Sequence, residues 1–311
     1  MKVLIKSFAV ALALALPFSY GSTGSAAGLF MNLDADAAGM AQGGAMVARA
    51  SGPAAAAWNP AALSGLGSRF EVLANYMSWV ASFQHLYAAT AFRVNSNLVV
   101  GADFRFLAPS GVDDPTVFLA GQDATAFNNM GVGVTAVGTL KMFSLGVSVR
   151  YLSQTIATTT TPALTLGAGF LAALGTPVNR VNLGVSVFNL GTAIPGAGVA
   201  GVSVAQNFTL RAGGVYLRAL ESPVLQSLAA SAEAEYAVDS GLGGRFGLEA
   251  KSPLFNKRFS LALRAGAQVS ADVQAFTAGL GLDFGRFVVD WALSPRAGLG
   301  VVQSIGTTFR F

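Results

Sequence analysis

Between Ser68 and Phe311 the chain repeats one pattern, in which about ten residues alternate between apolar and polar before a turn and the next such segment. In the last segment, one face would carry Ile305, Thr307, Phe309 and Phe311. The other face would carry Ser304, Gly306, Thr308 and Arg310. Successive side chains of a strand point to opposite faces, so each segment has one apolar and one polar side. About fourteen such segments are typical of a transmembrane antiparallel β-barrel.

The strand ranges and the connection lengths support the same interpretation. The predicted strands cover roughly 69–80, 83–94, 97–106, 129–140, 142–155, 163–172, 178–190, 206–217, 226–238, 243–251, 258–268, 274–283, 286–294 and 302–311. Their number is even, as single-chain bacterial barrels require. The two long connections, Leu107–Asn128 and Gly191–Ala205, both leave the barrel opposite the C-terminal residue. That end would be extracellular, and the short turns would be periplasmic.

Charged residues within the segments fall on the face opposite the aromatic residues. A charge on the lipid face costs about 2–4 kcal/mol at the membrane midplane, so these residues are predicted to face the lumen. They are Asp103, Arg105, Arg150, Arg211, Glu233, Glu235, Arg245, Glu249, Lys251, Arg264 and Asp290. A soluble β-sandwich would alternate too, but its loops would be richer in charge than a chain with 11% charged residues. A helical membrane protein is disfavoured because the long uncharged stretches contain Pro and Asn and alternate in polarity.

The N-terminus has the features of an export signal. Lys2 and Lys6 precede an apolar run from Phe8 to Phe18, and small residues follow at 25–27, which predicts a cleaved signal peptide over residues 1–27. Removing both lysines lowers the formal charge from +4 to about +2, so an anionic partner is not indicated. Nucleic acid is not expected as a partner, since no basic run is interleaved with aromatic residues. The chain has no cysteine, which excludes disulfides and thiolate chemistry.

Residues 28–67 lack strand alternation and are rich in Gly and Ala. The notable residues of this segment are Gly39, Met40, Gly43, Gly44, Trp58, Asn59, Pro60 and Ala61. With a signal peptide before them and strands up to Phe311 after them, they resemble the FadL-type outer-membrane proteins, in particular the PorV/PorQ-like (UPF0164) branch. The resemblance implies a fourteen-stranded barrel over 68–311, with 28–67 folded into the lumen as a hatch. It also implies that the barrel-assembly machinery recognises Phe311 as an assembly signal.

Two functions follow from this resemblance. The first is a bacterial outer-membrane channel for hydrophobic small molecules, with outer-membrane lipid around the barrel. Its candidate ligand or ion-pair residues in the lumen are Arg105, Arg150, Arg211 and Arg264, because a guanidinium can pair with a carboxylate. The alternative is a PorV-like accessory that carries a secreted protein in a type IX-like system, with the two long loops as its contact surface. A general porin is less favoured, because a hatch would block an open pore.

An enzyme is not expected. The only histidine is His85, and no motif distinguishes the nearby Ser78 or Ser82 as a nucleophile that a histidine would activate. One histidine and no clustered carboxylates give no metal site. The sequence therefore predicts no catalytic residue and no cofactor.

Overall fold

The protein is described by a computed structural model that covers residues 28–109, 127–156, 159–191, 193–195, 203–254, 258–270, 274–296 and 298–311. The predicted signal peptide and most of both long connections lie outside these residues. No helix in the described part of the chain is long and apolar enough to cross a membrane.

Fourteen strands form one closed antiparallel barrel, which confirms the predicted fold class. They are β1 Phe70–Ser78, β2 Phe83–Arg93, β3 Leu98–Pro109, β4 Phe127–Leu140, β5 Phe143–Ile156, β6 Thr159–Gly175, β7 Asn179–Gly191, β10 Thr209–Ala219, β11 Ser227–Ala237, β12 Gly241–Leu254, β13 Phe259–Ser270, β14 Gln274–Asp283, β15 Phe287–Arg296 and β16 Gly300–Arg310. Two short strands, β8 Ile194–Pro195 and β9 Ser203–Val204, pair separately with each other. The ring closes where β1 pairs with β16.

The barrel has two distinct ends. Phe311 and the short turns at 94–97, 141–142 and 284–286 lie at one end, which we call the terminal end. The connections 110–126 and 192–208 leave from the opposite end, which we call the loop end. This arrangement agrees with the predicted grouping of short turns and long connections.

Side chains alternate between the two faces of the wall as the sequence pattern predicts. On β5 the exposed outer residues are Phe143, Leu145, Val147, Val149 and Tyr151. Between them, Ser144, Gly146, Ser148, Arg150 and Leu152 are buried on the inner face. Of the charged residues predicted to face inward, Asp103, Arg105, Arg150, Arg211, Glu233 and Glu249 are buried, and the other five are partly buried. The alternation therefore identified the inner face correctly.

One irregularity changes a side chain's direction. The register between β6 and β7 shifts between Leu166 and Ala168, and Asn189 adopts a φ of 60°. Strict alternation through Val185 and Val187 would place Asn189 on the outer face, but it is buried beside Phe188. Such a bulge redirects a side chain, and here it allows Asn189 to donate to Asn32 Oδ1 at 3.1 Å.

Residues 28–67, called the hatch below, form short helical turns rather than strands. These are the 3₁₀ helix Leu29–Asn32, the α-helices Ala37–Ala41 and Ala55–Trp58, and the 3₁₀ helix Pro60–Gly65. A further 3₁₀ turn, Val80–Ser82, connects β1 to β2. Hatch backbone amides donate to side chains of β1, β14 and β11, which are Asn75, Thr277 and Glu233. Contacts with strands around the ring place the hatch inside the barrel.

Candidate functional site

The first hatch helix is fixed by a carboxylate and a tryptophan. Asp36 caps the helix by accepting from Gly39 N at 3.1 Å, and its other oxygen accepts from Trp58 Nε1 at 2.7 Å. Burial raises the pKa of Asp36 to about 6, and the two hydrogen bonds act in the opposite direction. Gly39 leaves the space that the indole occupies, because a Cβ there would lie 2.6 Å from Trp58 Cζ2. The segment around Gly39 and the segment around Trp58 are thus packed against each other.

Asn59 joins the hatch to the wall. Its Oδ1 accepts from Ala61 N at 3.0 Å, which caps the turn at Pro60. Its Nδ2 donates to Val47 O at 2.7 Å and to Phe170 O on β6 at 3.1 Å. The side chain is fully buried. An amide suits this position because it supplies an acceptor and two donors in one planar group.

At many of the places where the hatch approaches the wall most closely, the wall has a glycine. Inward-facing glycines at which a Cβ would contact the hatch are Gly101, Gly131, Gly146, Gly169, Gly184, Gly247, Gly266 and Gly279. They come from eight different strands, at inner-face positions. Glycine is the residue that lets one backbone approach another so closely. In the sequence, these inner glycines mark the part of the wall that contacts the hatch. The analysis of alternating polarity did not identify them.

A substitution at Gly43 would test how closely the hatch packs against the wall. Its φ is +63°, and a Cβ would lie 2.7 Å from the backbone nitrogen of Ala267 and from the carbonyl oxygen of Phe246. We expect Gly43→Ala to cost about 1 kcal/mol for the left-handed conformation and about 1–3 kcal/mol more for the overlap with the wall. Guanidinium unfolding, followed by the fluorescence of the hatch residue Trp58, measures the loss.

The matched control is Gly241→Ala. Gly241 also has a positive φ, +69°, but a Cβ there would meet nothing within 4 Å. This variant carries the conformational cost without the overlap. Equal losses of stability in the two variants would contradict close packing of the hatch against the wall at Gly43.

Three of the four predicted arginines converge on the hatch. Arg105 donates to the carbonyl oxygen of Met31, and Arg150 donates to Ala56 O at 2.6 Å. Arg211 lies over the Trp58 ring at 5.4 Å. Each also has a carboxylate partner on the wall, since Asp103 pairs with Arg105 and Arg150, and Glu233 and Glu235 pair with Arg211. These three arginines therefore connect the hatch to carboxylates of the wall.

The fourth arginine, Arg264, lies in a separate network towards the terminal end. It contacts Glu249 at 2.8 Å and Asp290 at 2.5 Å. Glu249 also pairs with Arg49 of the hatch at 2.5 Å. Arg49 was not among the predicted site residues, because nothing in its local sequence shows which strand it would meet. The network ties the hatch to β12, β13 and β15.

The hatch lies between two cavities. The loop-end cavity, of ≈ 400 Å³, has a mixed lining, with an apolar part that includes Phe30, Leu33, Trp79 and Leu107 and a charged part that includes Asp34, Glu235, Arg245 and Arg296. The terminal-end cavity, of ≈ 390 Å³, is lined by charged residues that include those of the Arg264 network. Beside the three anchoring arginines there is a gap of only ≈ 10 Å³. Such a gap is about the size that one water molecule needs.

One cation of the loop-end cavity was missed by the sequence analysis. Arg296 lies over the ring of Trp79 at 5.5 Å and donates weakly to Gln268 Oε1 at 3.4 Å. It has no carboxylate oxygen within 4.0 Å in the described ranges. In the same cavity Arg245 is paired with Glu235 at 2.8 Å. Arg296 is thus an arginine of the lumen wall whose positive charge is available to a bound anion.

His85 is not arranged as part of a serine–histidine site. It is fully buried on the inner face of β2, and neither ring nitrogen has a hydrogen-bond partner in the residues that the structure describes. Ser78 is exposed on the outer face of β1, and Ser82 is exposed in the turn before β2. The structure therefore does not bring these hydroxyl groups to the imidazole.

No family model matches the sequence, and no curated protein matches it. Solved structures with a similar fold include the following two. The Pseudomonas putida toluene transporter TodX aligns over 88% of this chain and 97% of its own, with a TM-score of 0.58 and 12% identity. A Pseudomonas aeruginosa FadL homologue aligns over 91% of this chain and 99% of its own, with a TM-score of 0.52 and 13% identity. By its fold, the chain is a β-barrel of the outer-membrane type.

Proposed function

We propose that the protein is an outer-membrane channel for hydrophobic small molecules. The observation that carries this proposal is the loop-end cavity of ≈ 400 Å³, which is largely apolar on its hatch side and closed below by the hatch. Ligand sites are commonly concave, mostly apolar and supplied with a few polar groups. The toluene transporter TodX has a similar fold.

The polar groups of the cavity suggest the kind of molecule that it receives. Arg296 offers a guanidinium beside the Trp79 ring, and the cavity has apolar residues such as Phe30 and Leu33 in addition to its charged ones. A guanidinium binds carboxylates and other oxyanions well, while an aromatic ring packs against hydrocarbon. A hydrophobic molecule with one polar or anionic end would satisfy both surfaces.

Passage through the barrel requires the hatch to shift. The gap beside Arg105, Arg150 and Arg211 accommodates no more than about one water molecule. The hatch is held there by polar contacts, including Arg150 to Ala56 O and Asn59 to Phe170 O, and by apolar packing against the wall. We infer that the solute binds at the loop end first and that displacement of the hatch then opens the route.

The alternative is a PorV-like accessory of protein secretion. Its expected contact surface comprises the two long connections, most of which lie outside the described residues. One described part is Ile194, which is buried in a cluster with Phe30, Met31 and Leu107 of the hatch and wall. That packing favours a cover over the loop-end cavity, and hence the channel.

A dye-uptake experiment tests the channel. We expect cells that produce the barrel to accumulate the hydrophobic dye N-phenyl-1-naphthylamine faster than cells that lack it. Leu29, 43% exposed in the loop-end cavity, is the residue to change. Leu29→Asp should slow uptake several-fold, because a carboxylate in the cavity must be desolvated when the dye binds.

Val224→Asp provides the matched control. Val224 is 72% exposed in the turn between β10 and β11 at the terminal end, away from the cavity. This variant should take up the dye at the rate of the unchanged protein. Uptake that is independent of the barrel, or that both variants slow equally, would contradict the proposed function.

A further inference from the structure

The rim of the barrel at the terminal end carries unpaired positive charge. Six basic side chains among the described residues are exposed there, and we call them the basic ring: Arg69, Lys141, Arg180, Arg218, Arg258 and Arg286. None of the six makes an ion pair within the described ranges. In ring order they lie just before β1, in the β4–β5 turn, on β7, on β10, just before β13 and in the β14–β15 turn. They therefore surround the barrel and do not form one patch.

Acidic residues do little to neutralise this ring. Glu71 is buried and accepts from the backbone of Gly67 and Ser68, and Asp283 is paired with Arg310 at 2.9 Å. Glu221 is exposed in the β10–β11 turn. The exposed charge of the terminal end is thus strongly positive.

The loop end has the opposite composition. In sequence, its connections contain five aspartates and no Lys or Arg; the aspartates are Asp113, Asp114, Asp123, Asp239 and Asp272. The arginines Arg245 and Arg296, which lie near that end, line the lumen cavity and not the outer rim. The basic residues of the outer surface are therefore concentrated at one end of the barrel.

The basic ring lies beside a belt of phenylalanines on the outer wall. The belt comprises Phe70, Phe92, Phe143, Phe170, Phe259, Phe284, Phe287, Phe309 and Phe311. Neighbouring rings contact one another, as Phe287 and Phe309 do with centroids 4.8 Å apart. The guanidinium of Arg69 lies over the Phe92 ring at 5.5 Å. Outer-membrane barrels carry aromatic girdles where the wall meets the membrane interfaces, so the basic ring lies at headgroup level.

We propose that the basic ring binds anionic phospholipid headgroups in the membrane leaflet at the terminal end. Basic residues at a membrane surface attract anionic lipids, and the attraction acts over about a Debye length. A protein partner would contact one arc of the rim, whereas lipid headgroups surround the whole barrel as the ring does. This inference rests on the placement of the barrel in a membrane and is independent of what the barrel transports.

Native mass spectrometry of the full-length barrel released from nanodiscs tests the proposal. The nanodiscs contain equal amounts of phosphatidylcholine and phosphatidylglycerol. We expect the retained lipids to be enriched in phosphatidylglycerol by roughly threefold or more. Substituting all six residues of the basic ring by Gln should reduce the ratio to about one.

Two control variants keep the result interpretable. A variant with the five arginines changed to Lys and Lys141→Arg preserves charge and should retain the enrichment. Arg296→Gln removes a cation of the loop end and should also retain it. No enrichment in the unchanged protein, or equal enrichment in the Gln variant, would overturn the proposal. The dye uptake of the Gln variant is measured in parallel. A loss of lipid enrichment is thereby distinguished from a loss of channel function.

Discussion

Deleting residues 35–63 should convert a nearly closed barrel into a steadily conducting one in planar bilayers. The deletion removes the helices Ala37–Ala41 and Ala55–Trp58 from between the two cavities. An emptied lumen of fourteen strands would approach the aqueous channel of larger barrels. Single-channel recording compares the unchanged protein, which should show rare and small openings, with the deletion variant. The shift from closed to open is the largest effect that we expect from any change in the chain.

The interpretation depends on a barrel that remains folded without its hatch. A change in gel mobility between unheated and heated samples checks the closed wall of each variant. The matched control is Ser51→Ala, an exposed hatch position that should leave the conductance low. A large, steady conductance of the unchanged protein would show that residues 28–67 do not obstruct the lumen.

Asp103→Asn should be the most destabilising single substitution in the lumen. Asp103 is 4% exposed and is the carboxylate partner of both Arg105 and Arg150, with Arg150 Nη2 at 3.2 Å. Removing one partner of a buried ion pair costs about 3–5 kcal/mol, because the other charge stays buried without compensation. Here two guanidinium groups would lose their partner. Denaturant unfolding in lipid vesicles measures the change in free energy.

Asp283→Asn is the control with the same chemistry at the surface. The Asp283–Arg310 pair has a distance of 2.9 Å, and its two side chains are about one-third exposed. Exposed pairs contribute about 0–1 kcal/mol, so this variant should unfold almost like the unchanged protein. Similar losses in the two variants would mean that Asp103 acts as an ordinary surface residue and that the lumen is well hydrated.

The wall was predictable because its signal is repeated and local. Alternation with a period of two identifies an inner and an outer face in every strand, and all fourteen predicted strands are present. Strand ends were less predictable, as in β6, which begins at Thr159 and ends at Gly175. Its first residues include Pro162, which the pattern indicated as part of a turn. Pairing with β5 maintains the strand through this position.

The partners of the hatch were not predictable, because they depend on contacts between distant residues. The sequence indicated Trp58 and Asn59, but not that Asp36 would bind the indole or that Arg49 would meet Glu249. Alternation alone would place Asn189 on the outer face, because the pattern of a single strand does not show a bulge. The inner glycines can be read in the sequence, and they would have identified the part of the wall that contacts the hatch.

Closure of the ring also links the hatch to the stability of the wall. The ladder between β1 and β16 closes the barrel. The hatch helix Ala37–Ala41 packs across this seam, because Met40 lies in one buried cluster with Met77 of β1 and Val302 of β16. The same cluster therefore supports both the hatch and this pair of strands, and a substitution within it should weaken both.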